Sequence, residues 1–326
     1  MRPALRRTAV ALAAAAALAT ATGCAAGPAQ VRSMPASAHA AVVDRAVGHA
    51  AARAAAAACN PKAASLAPNG PPRVTTGSFM ATTIRARGYL IAGVDQSTYH
   101  FGFLNPLHGK IEGFDIDMIR AIAAAIFGNP DKVEYKAISD AQRIPDILDG
   151  SVDIVAHTMT ITCARLAQVD FSSVYFDAHQ RILVQSTSSV DSVSALAGKK
   201  VCVTQGSDSG SNLRLPSGQR QPVVVSVPYW TDCLVLLQQN QVTAISTDDS
   251  ILDGLAAQDP FTKVVGPMLT DEPYGLAISK KHQDFVRFVN AVLAKERSDG
   301  AWAASYTHWV GTPVQQLPPT QYASTP

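Results

Sequence analysis

Apolar residues along this chain come as short runs and as helical stripes, and the two alternate. "YLIAGVD" (89–95) is a compact apolar run of the kind that forms a buried strand. In "GFDIDMIRAIAAAIFGNP", Phe114, Met118, Ile122 and Ile126 recur every four residues and mark one face of a helix. Gly128, Asn129 and Pro130 then stop it. "VEYKAI" (133–138) predicts a strand, "AQRIPDILDG" a short helix carrying Pro145, and "VDIVAH" (152–157) another strand. Residues 175–185 predict a longer strand.

The pattern then restarts. Strands are predicted at 198–205, 222–228 and 242–246, with the turn-like "GSDSGSN" after the first. "WTDCLVLLQQNQ" predicts a helix with Thr231 or Asp232 as its N-cap. "DSILDGLAAQD" reads as a helix and "FTKVVG" as a strand, and "YGLAIS" (274–279) returns to the first style. Two helices close the pattern, "HQDFVRFVNAVLAKERSDG" and one carrying "AWAASYTHWV". Strands alternating with helices imply sheets with parallel strands and helices on their faces. The expected organisation is an α/β protein of two domains, the second inserted into the first. Domain 1 is residues 79–184 plus 274–310, and domain 2 is residues 185–273. Two crossings near 185 and 273 make a two-strand hinge, which suits closure around a ligand in the cleft. Residues 24–78 read as a flexible tether, broken by prolines from Pro61 to Pro72, and 311–326 as a loose tail.

Length and composition narrow the class. A chain of 326 residues suits about two domains. The charged share is 16% and the formal net charge +2, so the concentrated basic face that nucleic-acid binding needs is not expected. Arg2, Arg6 and Arg7, the apolar stretch Ala9–Leu18 and the small residues up to Gly23 have the layout of a secretory signal peptide (1–23). "ATGC" resembles a lipobox that would make Cys24 the lipidated N-terminus, although Ala21 stands where leucine is usual. The alternative is an ordinary cleavable signal with an incidental cysteine. Four further cysteines, Cys59, Cys163, Cys202 and Cys233, read as two disulfides in an exported chain, with three pairings possible. Neither C-x-x-C nor a histidine pair accompanies them, so no metal site is expected.

The candidate chemistry centres on "AHTMTITCARLAQVDFSSVY" (156–175), where Thr160 and Thr162 precede Arg165 at the end of an apolar strand. A guanidinium is planar and bonds both oxygens of a carboxylate. Arg165 therefore suits a carboxylate ligand; the alternative is a surface pair with Asp170. "TQGSDS" offers backbone N–H groups between a strand and a possible helix start. It is not a G-x-S-x-G hydrolase elbow, because its centre is Asp208.

The motifs "GFDIDMI", "QRIPDILDGSVDIV", "TMTITCARLAQVDFSSVYF", "LAGKKVCVTQGS", "STDDSIL" and "PYGLAIS" together resemble the bacterial family 3 extracellular solute-binding proteins. Within them the chain is similar to the glutamine/glutamate-type amino-acid-binding lipoproteins of actinobacteria. The resemblance implies a type II periplasmic-binding-protein fold with the ligand between its domains. It implies that Arg165 and Thr160 hold the α-carboxylate of an amino acid, and that the Thr158 carbonyl accepts from its ammonium. Ser207 and Asp208 would contribute from domain 2, and Asp248 would bind the ammonium, with Asp249 as the other candidate. Asp95, Thr98, Tyr99 and Arg143 fall where the family meets the ligand side chain. The implied ligand is glutamate, aspartate, asparagine or glutamine. Lysine and arginine are not expected, because no second anion is visible nearby, and apolar ligands would strand Arg143 and Asp95.

The expected disulfides are Cys202–Cys233, from a strand to a helix of domain 2, and Cys59–Cys163, stapling the tether to the turn after "TIT". The function implied is a monomeric receptor without cofactor. It would be anchored by lipid to the outer face of the cytoplasmic membrane and deliver its ligand to an ABC permease. A sensor handing its bound state to a membrane partner has the same binding site. A dehydratase on this fold is the enzymatic alternative, but no motif here pairs carboxylates for acid/base work.

Overall fold

The computed structural model describes residues 59–317 and 320–323; the signal peptide and Cys24 lie outside them. The strands are β1 (Leu90–Val94), β2 (Ser97–Thr98), β3 (Gly102–Asn105), β4 (Lys110–Glu112), β5 (Val133–Ala137), β6 (Ile154–Ala156) and β7 (Asp170–Phe171). They continue with β8 (Phe176–Gln185), β9 (Lys200–Thr204), β10 (Val223–Val227), β11 (Ala244–Asp248), β12 (Thr262–Val265), β13 (Asp271–Tyr274) and β14 (Ala277–Ile278). After a helical stretch from Met80 to Arg87, the helices of the first half are α1 (Phe114–Phe127), α2 (Arg143–Leu148) and α3 (Cys163–Leu166). Those of the second are α4 (Ser209–Asn212), α5 (Trp230–Gln238), α6 (Asp249–Gln258), α7 (Gln283–Ser298) and α8 (Ala301–Trp309).

The first lobe is built on the sheet β5-β1-β6-β14-β7. β1 runs parallel to β5 and β6, and β14 antiparallel to β6 and β7. α1 buries the expected stripe of Phe114, Met118, Ile122 and Ile126 with Phe285, Val289 and Val292 of α7. It ends at Gly128, whose left-handed conformation (φ 71°) lets its N–H bond the Ala124 carbonyl. The second lobe is the sheet β10-β9-β11-β8-β12, whose core joins Val201 and Ile245 to Leu234 and Leu252 of α5 and α6. The N-cap of α5 is Tyr229, ahead of the expected Thr231 and Asp232. Asp232 sits inside its first turn and accepts the Tyr229 N–H at 3.2 Å.

The lobes change over inside a single strand. Phe176 and Ala178 belong to the first core, whereas Ile182, Leu183 and Val184 belong to the second. β8 pairs with β13 through Phe176–His179 and with β11 and β12 beyond. The first lobe therefore ends near residue 180, short of the expected 184. The alternation along "FDAHQRILVQ" holds as far as Arg181 and then gives way to three consecutive buried residues, Ile182 to Val184, where the strand enters the second core. The small sheet β2-β3-β4 was not expected either. Its strands of two to four residues are too short to show a period.

The described residues of 59–78 and 311–323 are more firmly held than their composition suggests. Cys59 is bonded to Cys163, and Lys62 reaches Asp177 and Asp271 on the hinge strands at 3.3 and 3.4 Å. Asn290, buried on α7, donates to Ser65 Oγ (2.7 Å) and the Leu66 carbonyl (2.6 Å), and Arg287 donates to the Ala67 carbonyl (2.6 Å). Residues 59–78 are thus a strap on the first lobe. Side chains satisfy carbonyls that a proline-rich segment cannot pair with itself. The tail is held similarly: Gln315 bonds the backbone of Asp177, and the Ala323 N–H donates to the Ser65 carbonyl (2.8 Å).

Cys202 of β9 and Cys233 of α5 are bonded inside the second core. Cross-linking a loop of this length removes about 3–4 kcal/mol of unfolded-state entropy. The double variant Cys202→Ser/Cys233→Ser is expected to lose roughly 2–4 kcal/mol of unfolding free energy in a urea titration. An unchanged midpoint would contradict it.

Candidate functional site

The segments that leave the carboxyl ends of four strands meet between the lobes, where ligands of open α/β sheets bind. Asp140 and Arg143 follow β5, Thr158 and Thr160 follow β6, and Ser207, Asp208 and Ser209 follow β9. Thr247 and Asp248 end β11. With Arg165, Trp230 and Ile251 these residues line a cavity of about 10 Å³, and hydrogen bonds from Arg143 and Arg165 to the Gly206 carbonyl and from Thr204 to Asp140 hold the lobes together across it.

Arg165 is buried and its neighbours explain the T-x-T-x-x-R spacing. Thr162 caps α3, its Oγ1 accepting the Arg165 N–H at 3.2 Å. The guanidinium donates to the Thr160 carbonyl (2.7 Å) and to the Gly206 carbonyl of the other lobe (3.3 Å). Asp208 Oδ1 lies 3.5 Å away. Asp170 is not among its partners, so the surface pair does not form. Burial, with Arg143 nearby, lowers the Arg165 pKa.

Asp248 and Asp249 part company. Asp248 is buried in the cleft, where Tyr274 donates its hydroxyl to Oδ2 at 2.6 Å. Burial and the neighbouring Glu272 push its carboxyl well above the usual range. Asp249 instead accepts the His179 and Ser250 N–H groups at 3.0 and 2.9 Å and does not line the cavity. Although Asp248 occupies the N-cap position of α6, it makes no capping bond.

Three expected residues lie elsewhere. Asp95 closes its own turn, accepting from the N–H groups of Gln96 (2.6 Å) and Ser97 (2.9 Å) and from the hydroxyls of Ser97 and Thr98. Asp95 and Thr98 are therefore buried as a locally satisfied turn outside the cavity, and Tyr99 is exposed against His100 and Phe103. Arg143 lines the cavity but does not meet Asp95. It donates to the Asp140, His157 and Gly206 carbonyls at 3.0, 3.1 and 3.3 Å and lies 3.0 Å from the Asp140 carboxylate. Asp140 is the second anion that the spacing did not reveal. Its Oδ2 accepts from Thr204 across the cleft. Gly206, Ser209, Trp230, Thr247 and Ile251 were also missed. They face the cleft only because the lobes meet, and no local pattern announces that.

Thr158 owes its place to Asp115. Its φ of 41° is unusual for a β-branched residue, and its N–H donates to Asp115 Oδ2 at 2.8 Å. Asp115 also accepts the Tyr175 hydroxyl at 2.5 Å. Burial pushes its carboxyl up to about 6 despite these two bonds. The folded protein thus holds this proton more tightly than the unfolded chain does. Its contribution is fully present below about pH 4 and is lost as the pH rises through about 6, a change of about 3 kcal/mol at about 1.4 kcal/mol per unit. Melting temperatures at pH 4 and 7 are expected to show Asp115→Asn losing less stability over that rise than the parent does. Equal losses in both would contradict this.

Comparison with known proteins decides the class. Residues 90–312 match the model of the bacterial extracellular solute-binding proteins, family 3. The chain belongs to this family. The ABC transporter glutamine-binding protein GlnH of Bacillus subtilis is 37% identical over 228 residues, covering 70% of this chain and 83% of that protein. The glutamate-binding protein GluB of Corynebacterium glutamicum is 29% identical, covering 64% of this chain and 74% of that one. Among solved structures, an ancestral arginine-binding protein bound to glutamine is 34% identical with a TM-score of 0.64, covering 69% of this chain and 99% of that one. The arginine-binding protein of T. maritima, as a P235GK mutant, is 28% identical with a TM-score of 0.66, at 71% and 99% coverage. The fold is accordingly the type II periplasmic-binding-protein fold. Residues 59–78 and the tail beyond 312 lie outside the family match.

Proposed function

We propose that this protein captures a free polar α-amino acid outside the cytoplasmic membrane and delivers it to an ABC importer. The ligand class is glutamine, glutamate, asparagine or aspartate. The observation that carries the reading is a buried guanidinium and a buried carboxyl, Arg165 and Asp248, on opposite lobes of one closed cleft. An α-amino acid presents the complementary pair on one carbon. Arg165 and Thr160 take the carboxylate. Asp248 takes the ammonium with the Thr158 carbonyl, and Ser207 and Asp208 approach from the second lobe. The named ligands of GlnH and GluB support the side-chain class.

Calorimetric titration against the twenty amino acids tests it. The tightest ligand is expected among the four, and tightest binding of leucine or histidine, or none at all, would overturn the reading. Lipid anchoring at Cys24 belongs to the same proposal. One acyl chain holds a protein only marginally, so a multiply acylated Cys24 is required. A Cys24→Ala variant is expected in the medium or unprocessed. Normal processing and retention on the membrane would count against anchoring there.

A further inference from the structure

Three lining residues of the cleft carry a buried polar atom with no hydrogen-bond partner: Asp140 Oδ1, Thr158 Oγ1 and Trp230 Nε1. Such atoms are rare in folded proteins, and each costs free energy unless something completes it. The three differ in kind. Asp140 Oδ1 is an acceptor. Arg143 Nη1 stands 3.0 Å from it but directs its hydrogen bond to the His157 carbonyl. His157 Nδ1, 3.4 Å from the same oxygen, is also unbonded. Trp230 Nε1 is only a donor, and the Thr158 hydroxyl can be either.

We infer that Asp140 and Trp230 make the cleft selective for a carboxamide side chain. The inference rests on the receptor reading above and narrows it. A carboxamide gives N–H to Asp140 and accepts from Trp230 with its oxygen, and Thr158 completes whichever lone pair or hydrogen remains. A side-chain carboxylate has acceptors only and meets Asp140 as a like charge. A guanidinium or ammonium has donors only and leaves the Trp230 N–H unpaired. Arg143 does not reverse this, because its N–H groups serve the Asp140, His157 and Gly206 carbonyls and its charge sits beside Asp140. Asp140 and Trp230 come from different lobes, so the choice is made as the cleft closes.

The test titrates the full chain with glutamine, asparagine, glutamate and arginine, then repeats it for Asp140→Asn and Trp230→Phe. Melting temperatures without ligand check the fold of each. A hydrogen bond to a charged group is worth roughly ten- to a hundredfold in affinity. Glutamine or asparagine is expected to bind at least about tenfold more tightly than glutamate or arginine. Asp140→Asn removes the like charge and should narrow the gap between amide and acid by about tenfold. Trp230→Phe keeps the ring and loses the donor, so it should weaken the amide by about the same factor while arginine changes little. The inference falls if glutamate or arginine binds the parent as tightly as glutamine does, and the receptor reading survives that result. It also falls if neither folded variant changes the ratios. Should Asp140→Asn not fold, Trp230→Phe and the parent's ratios decide. No binding by any of the four sinks the inference and the receptor reading together.

Discussion

Arg165→Ala is expected to abolish measurable amino-acid binding while leaving a folded protein. In the proposed complex its guanidinium is the counter-charge of the ligand carboxylate in a closed cavity. Removing one partner of a buried charged pair costs roughly 3–5 kcal/mol, because the other charge is stranded. That is a loss of several-hundredfold or more. The fold should tolerate the change. Arg165 bonds the carbonyls of Thr160 and Gly206 and lies 3.5 Å from the Asp208 carboxylate, and the contacts with Gly206 and Asp208 exist only when the lobes are shut. Arg165→Lys restores charge without the planar fork, so it should recover only part of the affinity. Titration calorimetry, with a melting curve for each variant, checks both. Near-native affinity in Arg165→Ala would refute the assignment.

Gly206→Ala is expected to hold the lobes apart. Gly206 has a φ of 85°, and a Cβ there would lie 2.6 Å from Ala141 Cα and 2.7 Å from Ala141 N, across the cleft. These are backbone atoms with no rotamer to yield. The left-handed conformation adds about 1–2 kcal/mol for alanine and the overlap about 1–3 kcal/mol. The left-handed cost is present whether the lobes are open or shut, so the overlap alone sets the loss of affinity, roughly five- to a hundredfold. The overlap belongs to the closed state, whereas the left-handed cost is carried without ligand too, so the ligand-free melting temperature should fall modestly. Small-angle scattering should show a variant that ligand no longer compacts. Compaction and affinity like the parent's would sink the prediction.

The sequence announced what local pattern can encode. The four-residue stripe of α1, the apolar run of β1 and the restart after residue 198 gave two α/β lobes, because side-chain periodicity is set by nearest neighbours along the chain. It pointed to the place of Arg165 as well, since a threonine cap and a short helix set that side chain at the cavity within one turn. It did not locate the hinge, because β8 is one uninterrupted strand whose two ends enter two sheets. Asp95 was misplaced for a physical reason: the three residues after it supply donors for its carboxylate. Asp140, Gly206 and Trp230 stayed hidden because their setting depends on the meeting of distant segments. Asp140 and Thr204, 64 positions apart, touch only across the closed cleft.

The strap at Cys59 sets where the protein bears mechanical load. Tension on the chain ahead of residue 59 enters the described structure at Cys59. It is shunted through the Cys59–Cys163 bond into the first residue of α3, two positions before Arg165. The share carried by Lys62 reaches Asp177 and Asp271, on the two strands that cross between the lobes. A pull on the amino-terminal side is therefore delivered to the hinge and to the carboxylate-binding turn together.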